Sequence, residues 1–92
     1  MITLVLDGSL DAMTAPALRQ EIADWVARGR QHIVLNLSRV YFLDSTALGV
    51  LIGSLKRLRS AGGALTLGST SRTVTQMLAV TGLDKIFGST EA

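Results

Sequence analysis

Few residues of this chain carry chemistry at a place where it could be used, and the clearest are Asp44 and Ser45. They stand where an apolar run (Ile33, Val34, Leu35, Leu37, Val40, Phe42, Leu43) stops and a pattern of helical period begins. A hydroxyl there can cap a helix, attack as a nucleophile or accept a phosphoryl group. A serine nucleophile needs a base, and the one histidine, His32, lies before the strand, at its opposite end from Ser45. Five residues of extended chain separate them by roughly 16 Å, which makes a Ser-His hydrolase an unsuitable reading.

Other chemistries find less. The chain contains neither G-x-x-x-x-G-K-[ST] nor G-x-G-x-x-G, the spacings that close backbone N–H groups on a phosphate chain. Glu21, Asp24, Asp44 and Asp84 are scattered and show no metal-ligand spacing. With no cysteine there is no thiolate chemistry and no disulfide framework. No cofactor is expected, and the chain reads as a binding module, not an enzyme.

Elements of two periods must position Ser45. Ile33 to Leu37 is compact and β-branched, whereas Leu48, Leu51, Ile52, Leu55 and Leu58 mark one face of a helix over Ser45 to Ser60 that ends at Gly62-Gly63. Asp44 or Ser45 can serve as its N-cap. Ser38 to Leu43 reads as a connection. Upstream, Ile2 to Leu6 predicts a strand, apolar on both faces, that leaves through the turn dipeptide Asp7-Gly8. Thr14, with Pro16 in the first turn, predicts a capped helix from Ala15 to Ala27 with Leu18, Ile22 and Trp25 or Val26 inward. Downstream come a strand at Ala64 to Leu67 and a helix from Arg72 to Val80 with Val74, Met77 and Leu78 inward. A short turn then docks Leu83, Ile86 and Phe87, and Gly88 to Ala92 are expected to fray. Strands alternating with helices favour a mostly parallel sheet.

Ninety-two residues make one modest domain, 48% hydrophobic and 17% charged, without a signal peptide or a membrane span, which suits a cytoplasmic protein. A net charge of +2 without runs of one sign does not imply nucleic acid binding. Ser45, Gly49 and Gly53 fall at i, i+4 and i+8, a small-residue stripe; glycines in a helix cost roughly 1 kcal/mol each, so either a partner or the domain's own sheet must come close. Asp11 reads as a turn former, His32 as a solvated strand-entry residue, and Lys56, Arg57 and Arg59 as cations placed favourably at a helix C-terminus.

The stretch NLSRVYFLDSTALGVLIGSLKRLRSAGGALTL, preceded by DGSLDAMTAPALRQEI and followed by VTGLDKIF, resembles the STAS domains, and in particular the bacterial anti-sigma-factor antagonists. The resemblance implies an α/β fold, a three-to-four-stranded mostly parallel sheet covered by helices, over 1–92. Family members have a further strand before the G-x-L-D element that is missing here, so that the start is truncated or Ile2 to Leu6 is a sheet edge. It implies phosphorylation at Ser45, with Thr46 a second hydroxyl that the motif does not favour. The partner surface would include Asp11, Asp44, Ser45, Thr46, Gly49 and Gly53. The partners would be an anti-sigma factor that is also a serine kinase, and a resetting phosphatase, with the chain a monomer or an edge-paired homodimer. Two other roles stay open: a STAS subunit of a membrane lipid-transport ATPase, and a stress-complex or ligand-sensing STAS domain.

Overall fold

The structure, a computed structural model, describes residues 1–85 and 88–89. The elements are β1 (Ile2–Leu10), α1 (Ala15–Ala27), β2 (His32–Leu43), α2 (Ser45–Ser60), β3 (Ala64–Thr70), α3 (Arg72–Thr81), a 3-10 turn at Leu83–Lys85 and the two-residue β4 (Gly88–Ser89). The sheet runs β1-β2-β3-β4 with every neighbouring pair parallel. Right-handed crossovers between successive neighbours place all the helices on one face. The extents of 32 × 31 × 19 Å are those of two such layers.

The register explains which side chains are buried. Leu4 pairs with Leu35 and Leu35 with Leu67, while Ile33 pairs with Leu65, so these rows of leucine and isoleucine lie under the helices. The alternate row, Thr3 with Val34 and Val5 with Asn36, stays exposed or half-exposed, and Val5 is 57% exposed. The first strand is therefore not buried on both faces as its composition suggests: Thr3 and Val5 are β-branched, but the second face has no helical layer.

The strands are also longer than their hydrophobic runs. Asp7-Gly8 does not turn the chain; Gly8 takes φ +85° inside β1, which continues to Leu10. Ser38 to Leu43 is not a connection either, because β2 extends through it with two register shifts against β1. Each shift adds one residue to β2 and flips its alternation. Burial accordingly steps from Ile33, Leu35 and Leu37 to Val40 and then Leu43, a spacing that imitates neither a strand nor a helix. β3 likewise runs on to Thr70, and Gly88–Ser89 pairs with β3 where a frayed end was expected. The expected docking of Ile86 and Phe87, and the fraying of 90–92, lie outside the described residues.

The helices follow their periods closely. Ala15, Leu18 and Ile22 are buried in α1, with Trp25 and Val26 half-buried against the core and Arg28 stacked 5.3 Å from the Trp25 ring. In α2 the buried face is Ala47, Leu51, Ser54, Leu55 and Leu58, rotated from the expected one so that Leu48 and Ile52 are half-buried. Ser71 caps α3, its hydroxyl accepting from the Val74 N–H and donating to the Val40 carbonyl, and Gly82 closes it in the left-handed conformation. β1 forms one edge of the sheet.

Two kinds of glycine are separated by what surrounds them. A Cβ at Gly63 would run into the Gln31 backbone carbonyl, whereas one at Gly49 or Gly53 would meet nothing within 4 Å. Gly63→Ala is expected to lower stability by about 2 kcal/mol or more, and Gly49→Ala or Gly53→Ala to raise it by about 0.5–1 kcal/mol. Urea unfolding of the three variants measures the contrast.

Candidate functional site

The C-terminal ends of β1 and β2 deliver two turns side by side, the region of an open parallel sheet where ligands and partners are received. The first turn, between β1 and α1, is built on Asp11. Its Oδ1 accepts the Met13 N–H at 2.9 Å and the Thr14 N–H at 3.2 Å, and its Oδ2 accepts from the Ser9 hydroxyl at 3.2 Å. Asp11 is thus a turn former, as its position predicts. Thr14 stands at the N-cap of α1 but makes no side-chain cap; its hydroxyl donates to the Ser9 carbonyl at 2.8 Å and accepts the Asp11 N–H at 3.0 Å. The N2 residue, Pro16, has no N–H to offer a cap, and the Ala17 N–H bonds the Thr14 carbonyl instead.

The second turn is built on Asp44, which is the N-cap of α2 and leaves Ser45 as its first helical residue. Asp44 Oδ1 accepts the Ala47 N–H at 2.9 Å, and Oδ2 accepts the Ala12 N–H at 3.2 Å. The Asp44 N–H donates to the Leu10 carbonyl at 3.1 Å. One residue therefore caps the helix and ties the two turns together.

Ser45 and Thr46 are exposed on the first turn of α2, where backbone N–H groups lack helical acceptors and the macrodipole is positive. Asp44 has taken the Ala47 N–H, and its backbone carbonyl accepts the Leu48 N–H at 3.0 Å. Gly49 and Gly53 continue the exposed stripe, so close approach of the domain's own sheet is not what requires them. The six residues expected at a partner surface thus fall into one patch along the β1–α1 turn and α2. His32 does not join it: it opens β2, at the opposite end of the strand and on the order of 25–30 Å from Ser45. Among the described residues no three His, Cys, Asp or Glu side chains gather to hold a metal, and no helix is long and apolar enough to cross a membrane.

Three exposed apolar side chains close in the chain to the tied turns were not singled out by the sequence. Met13 is 88%, Tyr41 67% and Phe42 45% exposed, and all three flank the tied turns. Phe42 belongs by composition to the apolar run, but the bulges in β2 turn it and Tyr41 outward while Val40 and Leu43 are buried. Large exposed apolar side chains beside polar ones are the composition of protein interfaces. An aromatic pair separated by one leucine from an N-cap aspartate was the one signal available.

A family model described as STAS domain matches residues 1–92. The "Anti-sigma F factor antagonist" of Paenibacillus polymyxa is 34% identical over 82 residues, covering 88% of this chain and 70% of the relative. An anti-sigma factor antagonist of Mycobacterium paratuberculosis superposes with TM-score 0.83 at 30% identity, covering 99% of this chain and 78% of the other. The anti-sigma factor antagonist SpoIIAA, a Bacillus cell fate determinant, is 25% identical; its unphosphorylated form gives TM-score 0.81 over 95% of this chain and 76% of its own, its phosphorylated form 0.73 over 95% and 79%.

Asp44→Ala removes a cap and a tie between turns and is expected to cost about 2 kcal/mol in chemical unfolding, with Asp44→Asn recovering part of it. The Met13 N–H, foremost, and the Thr14 N–H and Ser9 hydroxyl hold the Asp11 carboxyl below its ordinary pKa of 3.8. The folded protein thus binds this proton less readily than the unfolded chain, so the stabilisation from Asp11 is complete above about pH 4 and fades as pH falls through the lowered value. Unfolding curves of Asp11→Asn should be flatter than wild type in that acid window and differ little in slope above it.

Proposed function

The chain belongs to the STAS domain family, and from that premise we propose that it is an anti-sigma factor antagonist switched by phosphorylation at Ser45. In its unmodified form the patch of Asp11, Asp44, Ser45, Thr46, Gly49 and Gly53, rimmed by Met13, Tyr41 and Phe42, binds an anti-sigma factor. The bound anti-sigma factor then releases its sigma factor for transcription. The observation that carries this reading is the exposed Ser45 hydroxyl on the first turn of α2, set in a surface of exposed apolar and small residues.

The chemistry is a phosphoryl transfer for which this chain supplies only the acceptor. The anti-sigma factor acts as the kinase and brings its own ATP. Ser45 Oγ forms the new P–O bond, the bond from the γ-phosphorus to the ADP oxygen breaks, and the hydroxyl proton passes to a base of the kinase. A kinase partner is consistent with a chain that lacks a phosphate-binding loop and keeps its sole histidine at the far end of the sheet.

The modification is compatible with the fold and hostile to the complex for separate reasons. Locally, a phosphate at the first helical residue sits at the positive end of α2, which supports it. At the interface, about −1.5 to −2 charges arrive beside the carboxylates of Asp11 and Asp44, where a partner packed against a neutral hydroxyl would meet both desolvation and repulsion. A phosphatase acting on Ser45 returns the chain to its binding form. The names of the relatives support the antagonist role over a transport subunit or a ligand sensor.

Mass spectrometry after incubation with ATP and each anti-sigma kinase of the host tests the reading. One phosphate on Ser45, absent from Ser45→Ala, is expected, with Ser45→Glu losing kinase binding and Ser45→Ala retaining it. A folded protein that accepts no phosphate from any of these kinases would overturn it.

A further inference from the structure

Thr46, Gly49, Gly53 and Arg57 recur along one face of α2 and, with Arg19 of α1 opposite, help line a groove of about 380 Å³ between the two helices. From Thr46 to Arg57 it runs for roughly 16 Å of helix axis. No acidic side chain lines the groove. Among the described residues neither the Arg19 nor the Arg57 guanidinium has a hydrogen bond or ion pair. Two unpaired guanidinium groups thus lie along a trough whose other named residues are uncharged.

We propose that this groove seats an acidic segment of the anti-sigma factor, with an Asp or Glu carboxylate held between Arg19 and Arg57; the inference rests on the docking role given above to this face. Charge complementarity selects the occupant. A planar guanidinium offers paired donors to a carboxylate, and two of them lining one trough define a site for an anion carried on a chain. The floor suits close approach. Gly49 and Gly53 are exposed, no neighbour within 4 Å of a Cβ demands their smallness, and each weakens the helix relative to alanine. A partner backbone lying on them accounts for a cost that nothing inside the domain explains. At its other end the groove reaches Thr46, next to Ser45, so a segment seated there also covers the hydroxyl that the switch modifies.

Calorimetric titration of the purified host anti-sigma factors into the full chain tests this, with Arg19→Gln, Arg57→Gln, the double variant, Gly53→Leu and, as a control outside the groove, Arg30→Gln. Each groove arginine should contribute about tenfold in affinity, and the double variant should show a shallower dependence on salt. Gly53→Leu should bind at least tenfold more weakly while its thermal midpoint stays at or above wild type, and Arg30→Gln should bind as wild type does. If the wild-type chain binds an anti-sigma factor and the double variant matches it in affinity and salt dependence, the groove assignment is wrong and the docking role stands. If the wild-type chain binds none of them, the docking role fails, and this inference with it.

Discussion

The site depends on the two ends of one carboxylate. Asp44 caps α2 through the Ala47 N–H and reaches across to the Ala12 N–H, while its backbone N–H holds the Leu10 carbonyl. A cap of this kind is ordinary when it serves one helix. Here the second oxygen makes the start of α2 and the β1–α1 turn one unit, so Ser45 and the turn shaped by Asp11 keep a common geometry. The charge-assisted bonds are the stronger sort, and they are spent where the surface has to be presented in one arrangement.

That unit could not exist without the irregular strand beneath it. β2 gains two residues relative to β1 before it reaches Asp44. Each bulge keeps the strand in the sheet while changing which side chains face the helices. Val40 and Leu43 anchor the end of the strand in the core, and Tyr41 and Phe42 are left outside beside the turn. Burial of the leucine rows supplies the driving force for the fold, and the bulges convert the end of a core strand into part of a surface.

The exposed patch carries features that internal stability would not select. Met13, Tyr41 and Phe42 keep apolar area in water, and Gly49 and Gly53 loosen a helix with open space beyond them. Gly63, by contrast, is held to its size by the Gln31 backbone. The docking role proposed for this face gives these costs a common reason in protein recognition.

The sequence alone determined the elements whose periods are clean. The bounds of α1 and α2 could be read directly, because 3.6-residue periodicity, a cap residue and a terminal glycine agree locally. The alternation of strand and helix was enough for a parallel sheet, and the place of Asp44 and Ser45 at a strand-to-helix junction was legible for the same reason. Only the tertiary structure decided which of Asp44 and Ser45 caps the helix, since both can accept the same donors and the choice is made by the Ala12 N–H, thirty-two residues away. It also decided the length of β2, because a bulge breaks the period-two signal and is visible only against a neighbouring strand. The one-sided burial of β1 depends on where the helices lie, and the groove between Arg19 and Arg57 on how two helices pack. Periodicity is a property of one segment, but register and interhelical space are properties of two.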